Sequence, residues 1–235
     1  MTEFRLTQIS DTHLTRNFAV LTDNFYRVGE HIDAHRPDLV INTGDVSWDG
    51  PSSRADMEFA KELHGMLPVD CRYLPGNHDI GDNPTAVGAA PSCPATEELR
   101  DAFVSVFGED RWQFEAAGWR FIGLNSLIMN TGIPSELEQE EWLTERLAGA
   151  NGKPIALFLH KPLFLNTPED LEEASTAIRF VPQPVRAGWL LCLMRTMSGL
   201  SRAAMCISAA ISLTRIPGTS GHRLSDSSFQ TGCRM

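Results

Sequence analysis

Asp11, His13, Asp45, Asn77, His78, Asp79 and His160 are the residues of this 235-residue chain whose types and spacing could do chemistry together. Each group follows a short apolar run. Phe4 to Ser10 leads into Asp11-Thr12-His13, Leu39 to Thr43 into Gly44-Asp45, Cys71 to Leu74 into Pro75-Gly76-Asn77-His78-Asp79, and Ile155 to Leu159 into His160. Open α/β sheets bind ligands beyond the carboxyl ends of their strands. One motif alone carries little weight, because Asp-x-His, Gly-Asp and a lone His are all common by chance. The same placement four times in order points to one site.

The donor set is carboxylate, imidazole and amide oxygen with no thiolate, which suits Mn, Fe or Zn ions rather than a structural Cys-zinc site. A central carboxylate such as Asp45 can bridge two cations about 3.5–4 Å apart, the separation at which both ions hold the oxygens of an in-line displacement at phosphorus. Water bound to such ions has its pKa lowered towards about 7, so a bridging hydroxide can attack without any Ser or Cys. The leaving alkoxide needs a proton. His78 is the candidate general acid, and the neighbouring Asp79 is the candidate group to orient its ring and favour its charged form.

These side chains need strands and helices to position them. Asn17 to Ala34 carries apolar residues at 18, 21, 25, 28 and 32, which is helical spacing, before Pro37 stops it. Ser52 to Met66 predicts a second helix capped by Ser52 or Ser53, and Cys71 to Leu74 a third strand. Asp49 reads as a turn residue. Asp82 to Pro94 reads as a loop and a candidate for substrate contacts. Thr96 to Phe107 predicts a helix, and Trp112 to Glu115 with Trp119 to Asn125 around Gly118 predicts a hairpin that suggests a second, more antiparallel sheet. Ser135-Glu136-Leu137-Glu138 matches a capping box and opens a helix through Leu147, with Leu137, Trp142, Leu143 and Leu147 for the core and Glu138, Glu140, Glu141 and Glu145 on a solvated face.

The whole is an α/β pattern, long enough for one substantial core. A net charge of −10 argues against an open basic groove for nucleic acid. The five Cys show no CxxC pair and no disulfide framework. Met1 to Arg5 lacks a basic-then-apolar pattern, so the expected compartment is the cytoplasm. The apolar stretch from Trp189 to Leu213, readable as helix, is interrupted by Arg195 and Arg202, and no membrane partner is expected.

Asp11-x-His13, Gly44-Asp45, Gly76-Asn77-His78-Asp79 and His160 resemble the calcineurin-like metallophosphoesterase superfamily, over roughly residues 4 to 182. Within it the chain is similar to small bacterial phosphodiesterases that act on cyclic nucleotides or glycerophosphodiesters. The resemblance implies a four-layer α-β-β-α sandwich of two mixed sheets. It also implies two divalent or mixed-valence ions, one held by Asp11, His13 and Asp45 and one by Asp45, Asn77 and His160. His78 and Asp79 match the family's acid and its partner, and a small phosphodiester is the implied substrate.

The family's later Gly-His-x-His is missing. Gly221-His222-Arg223-Leu224 supplies one imidazole at most, and late in the chain. Residues 183 to 235 hold six Arg, no Lys and one acid, a net charge of +5 within a chain of −10, with three of the five Cys and four of the eight Met. We therefore divide the sequence into a metallophosphoesterase domain, 1–182, and an atypical tail, 183–235, expected to be poorly ordered. Ala203-Ala204-Met205-Cys206-Ile207-Ser208 can be encoded as GCG GCC ATG TGC ATC AGC. From the third base those codons read Gly-His-Val-His-Gln, so a frameshift at about residues 183 to 200 would account for the lost motif. The alternatives to an active phosphodiesterase are an inactive frameshifted copy and a non-catalytic binding scaffold. The gene's DNA tests the shift: the codons for 203–208 are expected to spell Gly-His-Val-His-Gln in the alternative frame, and codons that do not would end this explanation.

Overall fold

The computed structural model describes residues 3–84, 90–164, 179–189 and, for its backbone, 205–209. The first sheet holds β1 (Leu6–Ile9), β2 (Leu39–Asn42) and β3 (Cys71–Tyr73), all parallel, with β2 in the centre. Every residue of β2 is buried, as its unbroken apolar run requires of a central parallel strand. Ile9 lies level with Asn42, and Asn42 with Tyr73. The segments after all three strands therefore leave the sheet at the same end.

Two helices make the parallel crossovers. α1 (Ala19–His35) ends in a left-handed Arg36, and α2 (Arg54–His64) begins at Ser53, whose hydroxyl accepts from the Asp56 N–H. A single turn, α3 (Asn77–Ile80), follows β3, and α4 (Glu97–Phe107) is capped by Thr96. Phe25 and Ile32 of α1, Met57, Ala60 and Leu63 of α2 and Phe103 and Phe107 of α4 form one apolar cluster with Ile9, Val40 and Tyr73.

The second sheet runs β4 (Trp112–Ala116), β5 (Trp119–Gly123), β6 (Ile155–Leu159) and β7 (Met205–Ala209). The hairpin at β4 and β5 is as predicted. The expectation of a more antiparallel sheet holds only for that pair, because β5, β6 and β7 are parallel. The reason is α5 (Pro134–Ala148), which returns the chain to the start of the sheet before β6. Leu39, Ile41 and Leu74 of the first sheet pack with Trp112, Phe121, Ala156 and Phe158 of the second. The Trp112 indole also donates to the Tyr73 carbonyl at 2.9 Å, tying β4 to the end of β3. On the far side, Ile122, Leu157 and Leu159 meet Leu143 and Leu147 of α5 and Trp189 of a helical stretch at 183–189.

Three expectations change. α5 starts at Pro134, whose fixed φ suits the first helical position. Ser135 is then inside the helix, bonded to Glu97 rather than capping. Leu137 is 63% exposed, while Trp142, Leu143 and Leu147 do face the core and Glu138, Glu140, Glu141 and Glu145 are exposed. Residues 205–209 are a strand beside β6 rather than part of a helix. Residues 183–189 of the predicted tail are helical, and 190–204 and 210–235, His222 included, lie outside the described residues.

One buried polar contact links α2 to the end of β2. His64 donates from Nδ1 to the Ala60 carbonyl at 2.8 Å and accepts at Nε2 from the Asn42 amide at 3.1 Å. The Asn42 side-chain oxygen accepts in turn from the Gly44 N–H at 3.0 Å. Burial, the main cause, lowers the His64 pKa to about 4. An unfolded chain takes up this proton near pH 6.5, so the contribution is whole above that pH and is lost as pH falls towards 4. Urea denaturation is expected to lose about 3 kcal/mol more between pH 7 and pH 4 in the unmutated chain than in His64→Gln.

Candidate metal centre

The loops after β1 and β2 are knitted through their backbones. Asp11 N–H donates to the Gly44 carbonyl at 2.9 Å, His13 N–H to that of Asp45 at 2.9 Å, and Leu14 N–H to that of Val46 at 3.0 Å. This pairing turns Asp11, His13 and Asp45 into left-handed backbone, with φ of 54°, 45° and 51°. Such a conformation costs a non-glycine residue about 1–2 kcal/mol, and Asp and His are among the types found there most often. Gly44, at φ 121°, is required for space as well. A Cβ there would lie 2.6 Å from His160 Nδ1 and 2.8 Å from Gly76 N.

Asp79 holds the third loop to the second. Its carboxylate accepts from Val46 N–H at 3.0 Å, Ser47 N–H at 2.8 Å, Ser47 Oγ at 2.7 Å and Gly76 N–H at 2.9 Å. It is fully buried. The expectation that Asp79 orients the His78 ring is corrected by these contacts. The ring's Nδ1 instead donates to the Trp48 carbonyl at 2.6 Å, leaving Nε2 to face the site. Consecutive residues of a helical turn point in different directions, so Asp79 reaches inward while His78 reaches out.

His160 comes from the other sheet. Its Nδ1 donates to the Thr43 carbonyl at 3.1 Å, which fixes the tautomer and aims Nε2 at Asp45. Asp45 stands between the two sides. Its Oδ1 lies 3.6 Å from His160 Nε2 and its Oδ2 3.6 Å from His13 Nε2, while Oδ1 accepts from the His78 N–H at 2.8 Å. Two ligand groups result, each with donor atoms within 4.8 Å of one another: His13, Asp45 and His78, and Asp11, Asp45 and His160. Asp45 belongs to both. Asn77 opens α3, one residue before His78.

Burial dominates the electrostatics. It pushes the Asp11 and Asp45 carboxyls up to about 6, helped in Asp11 by the charge of Asp45, and pushes the His13 imidazole down to about 4. His13 Nδ1 is buried with no hydrogen-bond partner. Converging carboxylate oxygens, neutral imidazole nitrogens and an orphaned ring atom fit a hard or borderline divalent cation, whose charge would reverse the cost of gathering these groups. Beside the site, the buried Lys161 ammonium pairs with Asp82 and bonds Asn83 Oδ1 at 2.5 Å. That contact anchors the start of the 82–94 loop, of which 85–89 lie outside the described residues. Reading residue types alone missed the Trp48 and Thr43 carbonyls, since backbone acceptors carry no signature in sequence. The buried pairing of Lys161 with Asp82 left no local signal either.

A family model described as calcineurin-like phosphoesterase matches residues 4–185. This chain belongs to that family. The serine/threonine-protein phosphatase CPPED1 of Danio rerio is 30% identical over 149 residues, 59% of this chain and 45% of that protein. The probable glycerophosphodiester phosphodiesterase GpdQ of Arcobacter nitrofigilis is 29% identical over 169 residues, 66% of this chain and 56% of that one. The 3′,5′-cyclic adenosine monophosphate phosphodiesterase CpdA of Vibrio vulnificus is 26% identical over 175 residues, 69% and 57% of the two chains. The chain thus spans about half the length of the curated relatives it matches. Among solved structures, a dimetal phosphatase from Danio rerio superposes with a TM-score of 0.55 at 14% identity, over 82% of this chain and 77% of that one, a likeness of fold. Among the described residues, no helix is long and apolar enough to cross a membrane.

A divalent cation is expected to stabilise this chain by linkage. At about a hundredfold excess of free Mn²⁺ over its Kd, the gain is about 2.7 kcal/mol, or several degrees in melting temperature. Protonation of Asp11 and Asp45 near pH 6 competes with the cation. The Mn²⁺-induced shift is therefore expected to be large at pH 7.5, to shrink below pH 6, and to be lost in Asp45→Asn, all by thermal melts.

Proposed function

We propose that this chain is a metal-dependent phosphodiesterase acting on a small phosphodiester, with two ions held at one end of a four-layer α-β-β-α sandwich. The observation that carries the reading is the sharing of Asp45 between two ligand groups, one oxygen turned to each imidazole. The layering is supported by the three apolar clusters, one between the sheets and one on the outer face of each. Following the family resemblance, Asp11, His13 and Asp45 would hold one ion, and Asp45, Asn77 and His160 the other; the observed groups set Asp11 with His160, and Asp11 Oδ1 also lies 3.9 Å from His13 Nε2. Mn, Fe and Zn all suit these donors. When bound, the ions supply charge for the phosphoryl oxygens and lower the pKa of water.

The protein's own residues do the rest. His78, held at Nδ1 by the Trp48 carbonyl, offers Nε2 as the acid for the leaving oxygen. Asp79, fixed by four donors, keeps Asp45 and His78 in place rather than exchanging protons. The relatives named as a cyclic adenosine monophosphate phosphodiesterase and a glycerophosphodiester phosphodiesterase support a small diester as substrate, and a cytoplasmic setting goes with this reading. A frameshift at about residues 183 to 200 is proposed to have replaced a native tail that carried Gly-His-x-His; the family match ends at 185. A second reading of His78 has its own observation, since it completes a ligand group with His13 and Asp45.

Hydrolysis of bis-p-nitrophenyl phosphate with Mn²⁺ tests the proposal. His78→Ala is expected to lower kcat by about 10²–10⁴-fold with metal affinity kept, as befits an acid, and Asp45→Asn to abolish turnover. Loss of Mn²⁺ binding in His78→Ala would make His78 a ligand instead. Activity that appears only when the shifted-frame tail is restored would assign the defect to the tail, and silence in both versions would favour a binding scaffold.

A further inference from the structure

Phe18 sits where a helix would be better served by another residue. It is the N-cap of α1, a position favouring Ser, Thr, Asp or Asn, and it makes no side-chain capping bond. It is not recovered for the core, since the ring remains 45% exposed. What Phe18 does touch is Trp48, edge-on, with ring centroids 4.9 Å apart. Trp48 is half-buried, and its centroid lies 5.8 Å from both the His13 and the His78 rings, which are themselves 4.5 Å apart. A continuous wall of rings therefore runs from two residues of the metal centre, through Trp48, to solvent at Phe18.

We propose that Phe18 and Trp48 form a subsite for a nucleobase on the substrate, which selects nucleotide esters over aliphatic ones such as glyceryl esters. The proposal rests on the phosphodiesterase reading for the place of the phosphate and adds what lies beside it. Aromatic faces next to a phosphate site reward a planar group, because stacking of a base on such a ring is worth about 1–3 kcal/mol and an alkyl or glyceryl chain has no face to offer. The wall's contact with His13 and His78 means that the phosphoester's own substituent is the group placed to meet it. Trp48 reaches the wall with its side chain and holds His78 with its backbone carbonyl, so the recognising and proton-placing roles belong to different atoms.

The test compares adenosine 5′-monophosphate with ribose 5-phosphate, which differ only by the base, by calorimetric titration of the full chain with Mn²⁺ present. Adenosine monophosphate is expected to bind at least about tenfold more tightly, and that ratio is expected to collapse towards one in Phe18→Ala and in Trp48→Leu. Thermal melts of both variants check that they fold. Adenosine monophosphate binding no tighter than ribose 5-phosphate, or a preference unmoved by both substitutions, would overturn the subsite. A base preference in a chain that hydrolyses no phosphodiester would uphold the subsite and strike the catalytic reading instead.

Discussion

The molecule is arranged around the gathering of Asp11, Asp45 and Asp79 in a volume that also holds His13 and His160 and is largely shut off from water. Like charges in such a place repel, and burial raises the free energy of each ionised carboxylate. The fold meets this in two ways. Asp79 is surrounded by four donors and acts as an internal fastener, whereas Asp11 and Asp45 leave oxygens facing imidazole nitrogens. The first arrangement needs nothing further. The second would be relieved by a cation, which the converging oxygens and neutral imidazole nitrogens fit.

The fastening explains why two sheets are necessary. Three parallel strands end level with one another and deliver Asp11, His13, Asp45 and the Asn77-His78-Asp79 turn, but none of them can reach Asp45 from the other side. β6 does so with His160, and the Trp112 indole on the Tyr73 carbonyl bonds the second sheet to the end of the first. His64, through Asn42, steadies the Gly44 turn from behind. Side chains remote in sequence thus set the placement of a single carboxylate.

Strands with unbroken apolar runs and helices with Ser or Thr caps were legible in the sequence, because the signals there are local: β2, β6, α2 and α4 all lie within a few residues of their predicted bounds. Where long-range contacts overrule local ones, reading failed. Ser135 matches a capping pattern, but Pro134 starts the helix earlier and Glu97, 38 residues away, takes the hydroxyl. Asp79 follows His78 in the chain, which suggests a pair, yet helical geometry turns the two apart. The stretch from 189 onward reads as helix by its apolar residues, and a strand forms at 205–209 because β6 offers a free edge. The residues that converge at the candidate site were recognisable by type and order; their fastening was not.

Left-handed backbone at Asp11, His13 and Asp45 has a consequence for how such a centre can diversify. A β-branched residue at any of the three would be strained before it met an ion, and a longer acid would move its oxygens away from a main chain that cannot follow. Substitution at these positions is thus close to closed. Asn77, which opens a right-handed turn, and His160, which leaves an ordinary strand, carry no such restriction. Backbone strain therefore leaves room for change at those two positions and closes it at the other three.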